Sequence, residues 1–306
     1  MAQILDGNRI RDEILREAKV RVERLAATGR PPGLAVILAG DDPASEIYVR
    51  NKIRACEGLG IRSEKVAPPA TVTTGELVAM VEELNRREEI DGILVQMPLP
   101  KQVDAKRVLL AVSPEKDVDG LHPLNAGNLA TNRPGPRPCT PSGIIQILKR
   151  SGIPISGRRA VVVGRSDLVG KPMAFLLLHE NATVTVCHSK TVDLPGVCAQ
   201  GDILVAAMGR PALITGDYIK PGATVIDVGM NRVTDREQAA VIFAGRPQKL
   251  ADFDKKGSLL VGDVHPVDMA EHAAAYTPVP GGVGPLTIAM LMVNTIEIAE
   301  RRRNGC

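Results

Sequence analysis

Two α/β domains, each a parallel sheet flanked by helices, are what this sequence predicts. Three observations carry that expectation. Short apolar runs alternate with stretches of helical periodicity, and the alternation lapses between Ser113 and Pro141 before starting again. At 306 residues the chain is long enough for about two substantial cores. Its 44% hydrophobic and 24% charged residues are the balance of a globular protein rather than a disordered one.

Ile10, Ile14, Ala18, Val22 and Leu25 recur at helical spacing and predict a helix from about Asn8 to Ala27. "GLAVILAG" (Gly33 to Gly40) follows as a buried strand. Asp42 has the character of an N-cap with Pro43 at the first helical position, opening a helix that stops at Gly58 and Gly60. A strand near Arg62 to Val66, a helix from Thr74 to Arg87 and the strand in "DGILVQMPLP" come next. Pro98 and Pro100 end that strand, leaving Gln96 at its carboxyl end. The Pro-, Gly- and Asn-rich segment "SPEKDVDGLHPLNAGNLATNRPGPRPCTP" reads as a long functional or joining loop. A second α/β run begins at "RRAVVVGRSDLVGKPMAFLLL" and continues through "ATVTVCHSKT", "GDILVAAM", "GATVIDVGM" and "GSLLVGDV". The tail "GPLTIAMLMVNTIEIAERRR", with Pro285 near its start, is an amphipathic helix. The expected division is 1–140, then 141–276, with the helix 284–303 returning to the first domain.

Composition narrows the function. The net charge is only +3 and its cations are dispersed, which disfavours nucleic acid or an anionic membrane as partner, and 2% aromatic residues leave little for base stacking. No run reaches the length of a membrane span, and "MAQILDGNRIRDEI" has acids where a signal peptide has an apolar stretch. Cys56, Cys139, Cys187, Cys198 and Cys306 are odd in number and show no CxxC or Cys/His spacing. That argues against a disulfide framework and a zinc site, and for a cytoplasmic home. His122, His179, His188, His265 and His272 form no metal-type pairing and read as structural or exposed. No metal is expected.

The run "AVVVG" into "GRSDLVGKPM" sets Gly164, Ser166 and Gly170 at a strand-to-helix turn, a relaxed dinucleotide fingerprint whose helix N-terminus can hold a pyrophosphate. A glycine turn of any βα unit is the plain alternative. Where an NAD enzyme places an acid, the next strand ends in His188, Ser189, Lys190 and Thr191. With Arg165 nearby, this favours NADP, although a solvated basic turn also accounts for Lys190. Tyr48 and Lys52 stand one helical turn apart in "SEIYVRNK". The pair could be an acid with its activating lysine, a reactive lysine, or a helix flank. Short-chain dehydrogenases use a Tyr and Lys at this spacing, but there the glycine motif precedes the pair, the reverse of the order here. Gln96 at a strand end suits a ligand site or a loop-capping amide equally. In "EKDVDG", Asp117 reads best as a turn residue, while Asp119 stays open. "TPVPGGVGPLT" is either a helix breaker or a backbone surface for a flat ligand. Cys139 in "PCTPSG" reads as a buried small residue ahead of a helix.

Taken together, "YVRNKIRACEGLGI", "DGILVQMPLP", "PEKDVDGLHPLNAGNL", "PCTPSG", "VVVGRSDLVGKPMA", "GATVIDVGMNR", "VGDV" and "TPVPGGVGPLTIAML" resemble the bifunctional methylenetetrahydrofolate dehydrogenase/methenyltetrahydrofolate cyclohydrolase family over nearly the whole chain. The resemblance implies an N-terminal catalytic and folate domain, a Rossmann-like NADP-binding domain, a folate cleft between them, and a homodimer. It implies NADP-dependent oxidation of 5,10-methylenetetrahydrofolate and hydrolysis of the product to 10-formyltetrahydrofolate, within one-carbon metabolism and purine biosynthesis. Lys52 is then the catalytic lysine, Gln96 its holder, Tyr48 the platform under the pterin and Asp119 a bond to its ring. Val95, Met97, Pro278, Gly281, Gly282 and Gly284 complete the folate surface. Gly164, Arg165, Ser166, Ser189 and Met230 match cofactor-contacting positions. Three residues depart from the family pattern: Asp167 puts an acid in the phosphate turn, His265 stands where an acid commonly follows "VGDV", and Asn128 replaces a basic residue.

The chemistry divides the labour. A cation formed by hydride loss lies between two folate nitrogens that stabilise it, so oxidation needs alignment rather than an acid or base. Hydrolysis needs water to lose a proton and a ring nitrogen to gain one. An ammonium beside that cation is disfavoured, which suits the Lys52 amine to the role of base. A dehydrogenase without hydrolysis and a folate- or nucleotide-binding regulator are the competing readings, and the presence of Lys52 and Gln96 argues against both.

Overall fold

The computed structural model describes residues 2–304, the side chains of Ala44 and Asn304 excepted, so Cys306 lies outside the described residues. A two-residue strand, β1 (Gln3–Ile4), leads into α1 (Gly7–Ala27). The five apolar residues that mark α1 are all buried. Next come β2 (Gly33–Ile37), α2 (Pro43–Leu59), β3 (Arg62–Val66), α3 (Thr74–Arg86), β4 (Gly92–Val95) and α4 (Ala105–Ala111). The three strands form a parallel sheet in the order β3-β2-β4, and the central strand is buried at every residue. Ala35, Ile37, Ile93 and Val95 of the sheet pack with Leu77, Val81 and Leu84 of α3 and with Val108 and Val112 at α4. A capping box between Thr73 and Glu76 sets the start of α3.

The segment 113–141, expected as one loop, contains a helix, α5 (Pro123–Ala130), and the start of α6 (Cys139–Arg150). The cause is local. Pro123 is in the first helical turn, and the His122 ring accepts from Leu124 N, so a Pro-rich stretch still nucleates a short helix. Asn125, buried there, donates to Pro114 O and to Asp117 Oδ2.

The second run holds β5 (Arg159–Val163), α7 (Gly170–His179), β6 (Thr183–Cys187), α8 (Leu194–Cys198), β7 (Ile203–Ala206), β8 (Thr224–Asp227), β9 (Asn231–Val233), α9 (Arg236–Ile242), α10 (Pro247–Lys256), β10 (Leu259–Val261), α11 (Pro266–His272), β11 (Ala275–Tyr276) and α12 (Gly284–Asn304). Six strands make one sheet in the order β1-β11-β8-β7-β5-β6, every pair parallel. "GSLLVGDV", expected to continue this alternation, instead supplies β10 to a separate antiparallel pair with β9. That pair has its own small core, in which Val233 and Val261 meet Ala239, Ile242, Phe243 and Phe253.

The chain divides into two compact units, 11–139 with 288–306 and 1–10 with 140–287. In the first, Asp91 is fully buried and receives Arg30 through both carboxylate oxygens at 2.6 and 2.8 Å, Arg302 at 2.7 Å and Gly33 N at 2.9 Å. Removing the carboxylate strands two guanidiniums that no longer have a counter-charge. Asp91→Ala should therefore lower the unfolding free energy by about 3 kcal/mol, the low end for a broken buried pair because both arginines keep some solvent. Urea unfolding followed by circular dichroism checks this, and an unchanged midpoint would show that the cluster contributes nothing net.

Candidate active site

Asp42 Oδ2 accepts from Ser45 N at 2.8 Å and Gly60 closes the helix in the left-handed conformation, so both ends of α2 are pinned as the sequence predicts. Val49 and Cys56 bury one side of the helix. Tyr48 is left 49% exposed, a bare ring on the surface of its unit. Lys52, one turn on and half-buried, donates from Nζ to Gln96 Oε1 at 2.9 Å. Gln96 directly follows β4: its backbone N donates to Ile37 O at 2.9 Å, and its Nε2 donates to Met97 O at 2.7 Å. With Nε2 so engaged, Oε1 is the atom that faces the lysine. Val95 is buried beneath it, and Met97 is exposed beside it.

Asp117 and Asp119 part company. Asp117 is buried and accepts from His122 N and Asn125 Nδ2, the turn role expected of it. Asp119 is half-buried, and loss of solvent pushes its carboxyl up to about 6, with the positive Lys52 opposing the rise and Asp117 adding to it. Lys52, Gln96 and Asp119 thus form one electrostatic group. Cys139 Sγ lies 3.9 Å from Asp119 Oδ1 and donates to Val118 O at 3.5 Å. Burial holds its thiol well above the usual range, so it is an inert small residue, as expected. One contributor was not legible beforehand: Asn294 of α12, buried, donates from Nδ2 to Val118 O at 2.7 Å and to Arg137 O at 2.8 Å. Its only signal was a polar residue inside the apolar stripe "AMLMVNTIEIA".

In the other unit, the order of β6, β5 and β7 places a switch point between β5 and β7, where ligands of such sheets gather. Gly164 lies there with φ +134°, and a Cβ on it would stand 2.2 Å from Ala207 O, so only glycine is tolerated. Ser166 Oγ accepts from Val169 N and Gly170 N and shapes the turn, while Arg165 is exposed. Asp167, the acid in this turn, is 2.5 Å from Lys171 Nζ, which offsets its charge. Ser189 and Lys190 are exposed in a turn closed by Thr191 Oγ1, which accepts from His188 N, and by His188 Nδ1, which accepts from Lys190 N. Met230 is 46% exposed in the loop between β8 and β9. These residues fit a phosphorylated dinucleotide: a turn open to close approach, two cations, and no carboxylate between His188 and Thr191.

Pro278, Gly281 and Gly284 are partly exposed near Met230. Gly282 is buried and packs so closely on Gly7 that a Cβ there would meet Gly282 O, which makes Gly282 a packing residue. His265 caps α11 and lies 2.8 Å from Asp268 Oδ1, and His272 bonds Asp268 O at 2.9 Å. Both are structural. Among the described residues no group of three or more His, Cys, Asp or Glu is arranged to hold a metal.

A glycine turn at the switch point of a parallel sheet, together with a unit carrying a lysine, an amide and a carboxyl group, defines a dinucleotide-dependent α/β enzyme. Residues 5–119 match the catalytic domain of tetrahydrofolate dehydrogenase/cyclohydrolase, and residues 138–303 match the NAD(P)-binding domain of the same enzymes. The chain is 68% identical to the bifunctional protein FolD of Solibacter usitatus across 100% of both chains. It is 52% identical to that of Moorella thermoacetica over 98% of this chain and 99% of the relative. The crystal structure of the bifunctional FolD enzyme of Campylobacter jejuni superposes with a TM-score of 0.89 at 40% identity, covering 99% of this chain and all of the other. The Trypanosoma brucei enzyme, solved with NADP cofactor and an inhibitor, gives 0.87 at 40% identity over 99% and 98%. The chain belongs to the tetrahydrofolate dehydrogenase/cyclohydrolase family, and is an enzyme of both activities.

The Asp119 carboxyl has a testable pH signature. Its folded value is raised above the unfolded one, so the fold binds its proton more tightly and the stability this contributes is present at pH 4 and lost as pH rises through about 6. Asp119→Asn should equal the parent in melting temperature near pH 4 and exceed it above pH 7. Scanning calorimetry across that range would show it, and parallel curves would mean the carboxyl is not desolvated.

Proposed function

We propose that Lys52 is the proton-handling residue of the cyclohydrolase step, that Gln96 fixes it, that Tyr48 supports the pterin and that Asp119 bonds its ring. The observation that carries this reading is the 2.9 Å bond from Lys52 to Gln96, which leaves the lysine aimed by an amide rather than consumed by a carboxylate. The enzyme oxidises 5,10-methylenetetrahydrofolate to the 5,10-methenyl cation and hydrolyses it to 10-formyltetrahydrofolate. When bound, NADP supplies the acceptor of the hydride. The chain's own part in oxidation is to align the folate, for which Tyr48 offers a flat surface and Asp119 a directional bond. In hydrolysis Lys52 Nζ takes a proton as water adds to the methenyl carbon and gives one to the ring nitrogen as the C–N bond opens. Val95, Gln96 and Met97 form the strand-end wall of the folate site.

NADP is the preferred cofactor. Arg165, Ser189 and Lys190 are exposed donors available to a 2′-phosphate, with Gly164, Ser166 and Met230 completing the site. The enzyme works as a cytoplasmic homodimer supplying formyl groups for purine biosynthesis. Four buried free thiols support a reducing compartment, and no helix among the described residues is long and apolar enough to cross a membrane. The exposed Val186 on the edge strand β6 supports a partner there.

Lys52→Met keeps an apolar stem and removes the amine. Hydrolysis should fall by a factor on the order of 10² to 10⁴ while hydride transfer falls less, so that methenyltetrahydrofolate accumulates. Separate assays of the two steps at saturating folate measure this, and equal losses would reassign Lys52 to substrate positioning. Arg165→Ala should raise the KM for NADP more than that for NAD; equal increases would leave Arg165 as a turn residue only.

A further inference from the structure

The motif "VGDV" has no part in the chemistry above, yet its aspartate receives four hydrogen bonds. Asp263 is completely buried. Its Oδ2 accepts from Met208 N at 2.5 Å and Gly209 N at 2.9 Å, and its Oδ1 accepts from Arg210 N and from Asn231 Nδ2 at 2.9 and 2.8 Å. Three consecutive backbone donors from the loop after β7 and the side chain of Asn231, the first residue of β9 directly after the β8–β9 loop, therefore converge on one group. A second carboxylate is set against it: Asp227 accepts from Gly229 N, Asp263 N and Val264 N. Burial first, with Asp263 adding, pushes Asp227 up to about 7, so placing two acids here is electrostatically costly. There is no slack around them. A Cβ on Gly262 would overlap Asp227 Oδ2, and one on Gly229 would stand 2.5 Å from Asp263 Oδ1.

What the pair holds is informative. The loop fixed by Met208, Gly209 and Arg210 starts at Ala207, whose carbonyl is the atom against which Gly164 is pressed. Asn231 immediately follows Met230. One carboxylate thus ties together the wall behind the dinucleotide turn and the loop that presents Met230, both at carboxyl ends of strands.

We infer that Asp263 is the positioning residue of the cofactor site, clamping the loops after β7 and β8 so that Gly164 and Met230 meet the dinucleotide in one geometry. This rests on the assignment of Gly164 and Met230 to the cofactor. Asparagine at 263 has one acceptor oxygen, and its NH₂ would face backbone N–H groups, so the clamp fails while the side chain's size is kept.

The test uses the two activities of the intact enzyme, because hydrolysis of methenyltetrahydrofolate can be followed with no dinucleotide present. In Asp263→Asn, the KM for NADP should rise by on the order of tenfold or more, the usual effect of losing bonds to a charged group, while hydrolysis stays within about twofold. With the variant folded, an equal loss of both activities would overturn the inference, as would an unchanged KM for NADP. Should Asp263→Asn not fold, Asn231→Ala removes a single donor. It should raise the KM for NADP severalfold with hydrolysis intact, and no change in it would equally overturn the inference. Absence of NADP-dependent oxidation in the parent enzyme would instead refute the underlying cofactor assignment.

Discussion

The bond between Lys52 and Gln96 joins two elements with independent reasons to be where they are, and the arrangement of the whole lysine-bearing unit serves it. Gln96 can stand only one residue past β4, because Val95 is still buried and Met97 is already exposed. Lys52 can reach it only if α2 is held in register, which Asp42 and Gly60 do at its ends and Val49 and Cys56 do along its length. A slip of one residue in the helix would rotate Lys52 by about 100° away from the amide. Cys56 Sγ packs 3.5 Å from Met292 Sδ, so the last helix of the chain also bears on that register.

The carboxyl side of the site is held differently. Asp119 is placed by backbone, between the turn that Asp117 organises and the segment that Asn294 gathers through Val118 O and Arg137 O. Its environment keeps the proton at mildly acidic pH, while Lys52 pulls the other way. The carboxyl group therefore changes protonation state near pH 6. That shift follows from burial and neighbours rather than from residue type.

Much of this was legible beforehand, for definable reasons. Helical spacing marked α1, cap chemistry marked α2, and strand-end position singled out Gln96, because each is a local pattern of one element. β1 and β11, two residues apiece, carry no periodicity and exist only because they pair with each other and with β8. α5 was hidden by prolines and asparagines that read as loop until His122 and Asn125 supplied their bonds. β10 had the composition of a core strand, and only pairing could show that its partner was β9. Asn294 and Asp263 were unreadable for a common reason: their partners are backbone groups far away in sequence, which leave no mark on residue identity.

The division of the chain has a consequence for how the molecule is made. One unit takes residues 1–10 from the start of the chain and the other takes 288–306 from its end. Leu291, Met292, Ile296, Ile298 and Ala299 of that end are core residues. A ribosome that has joined 139 residues has therefore synthesised most of the lysine-bearing unit but none of its closing helix. Apolar surface destined for that helix must wait through the synthesis of the entire nucleotide-binding unit. The lysine-bearing unit is the later of the two to be completed, so its lysine, amide and carboxyl group acquire their final packing only after Leu291 to Ala299 have emerged.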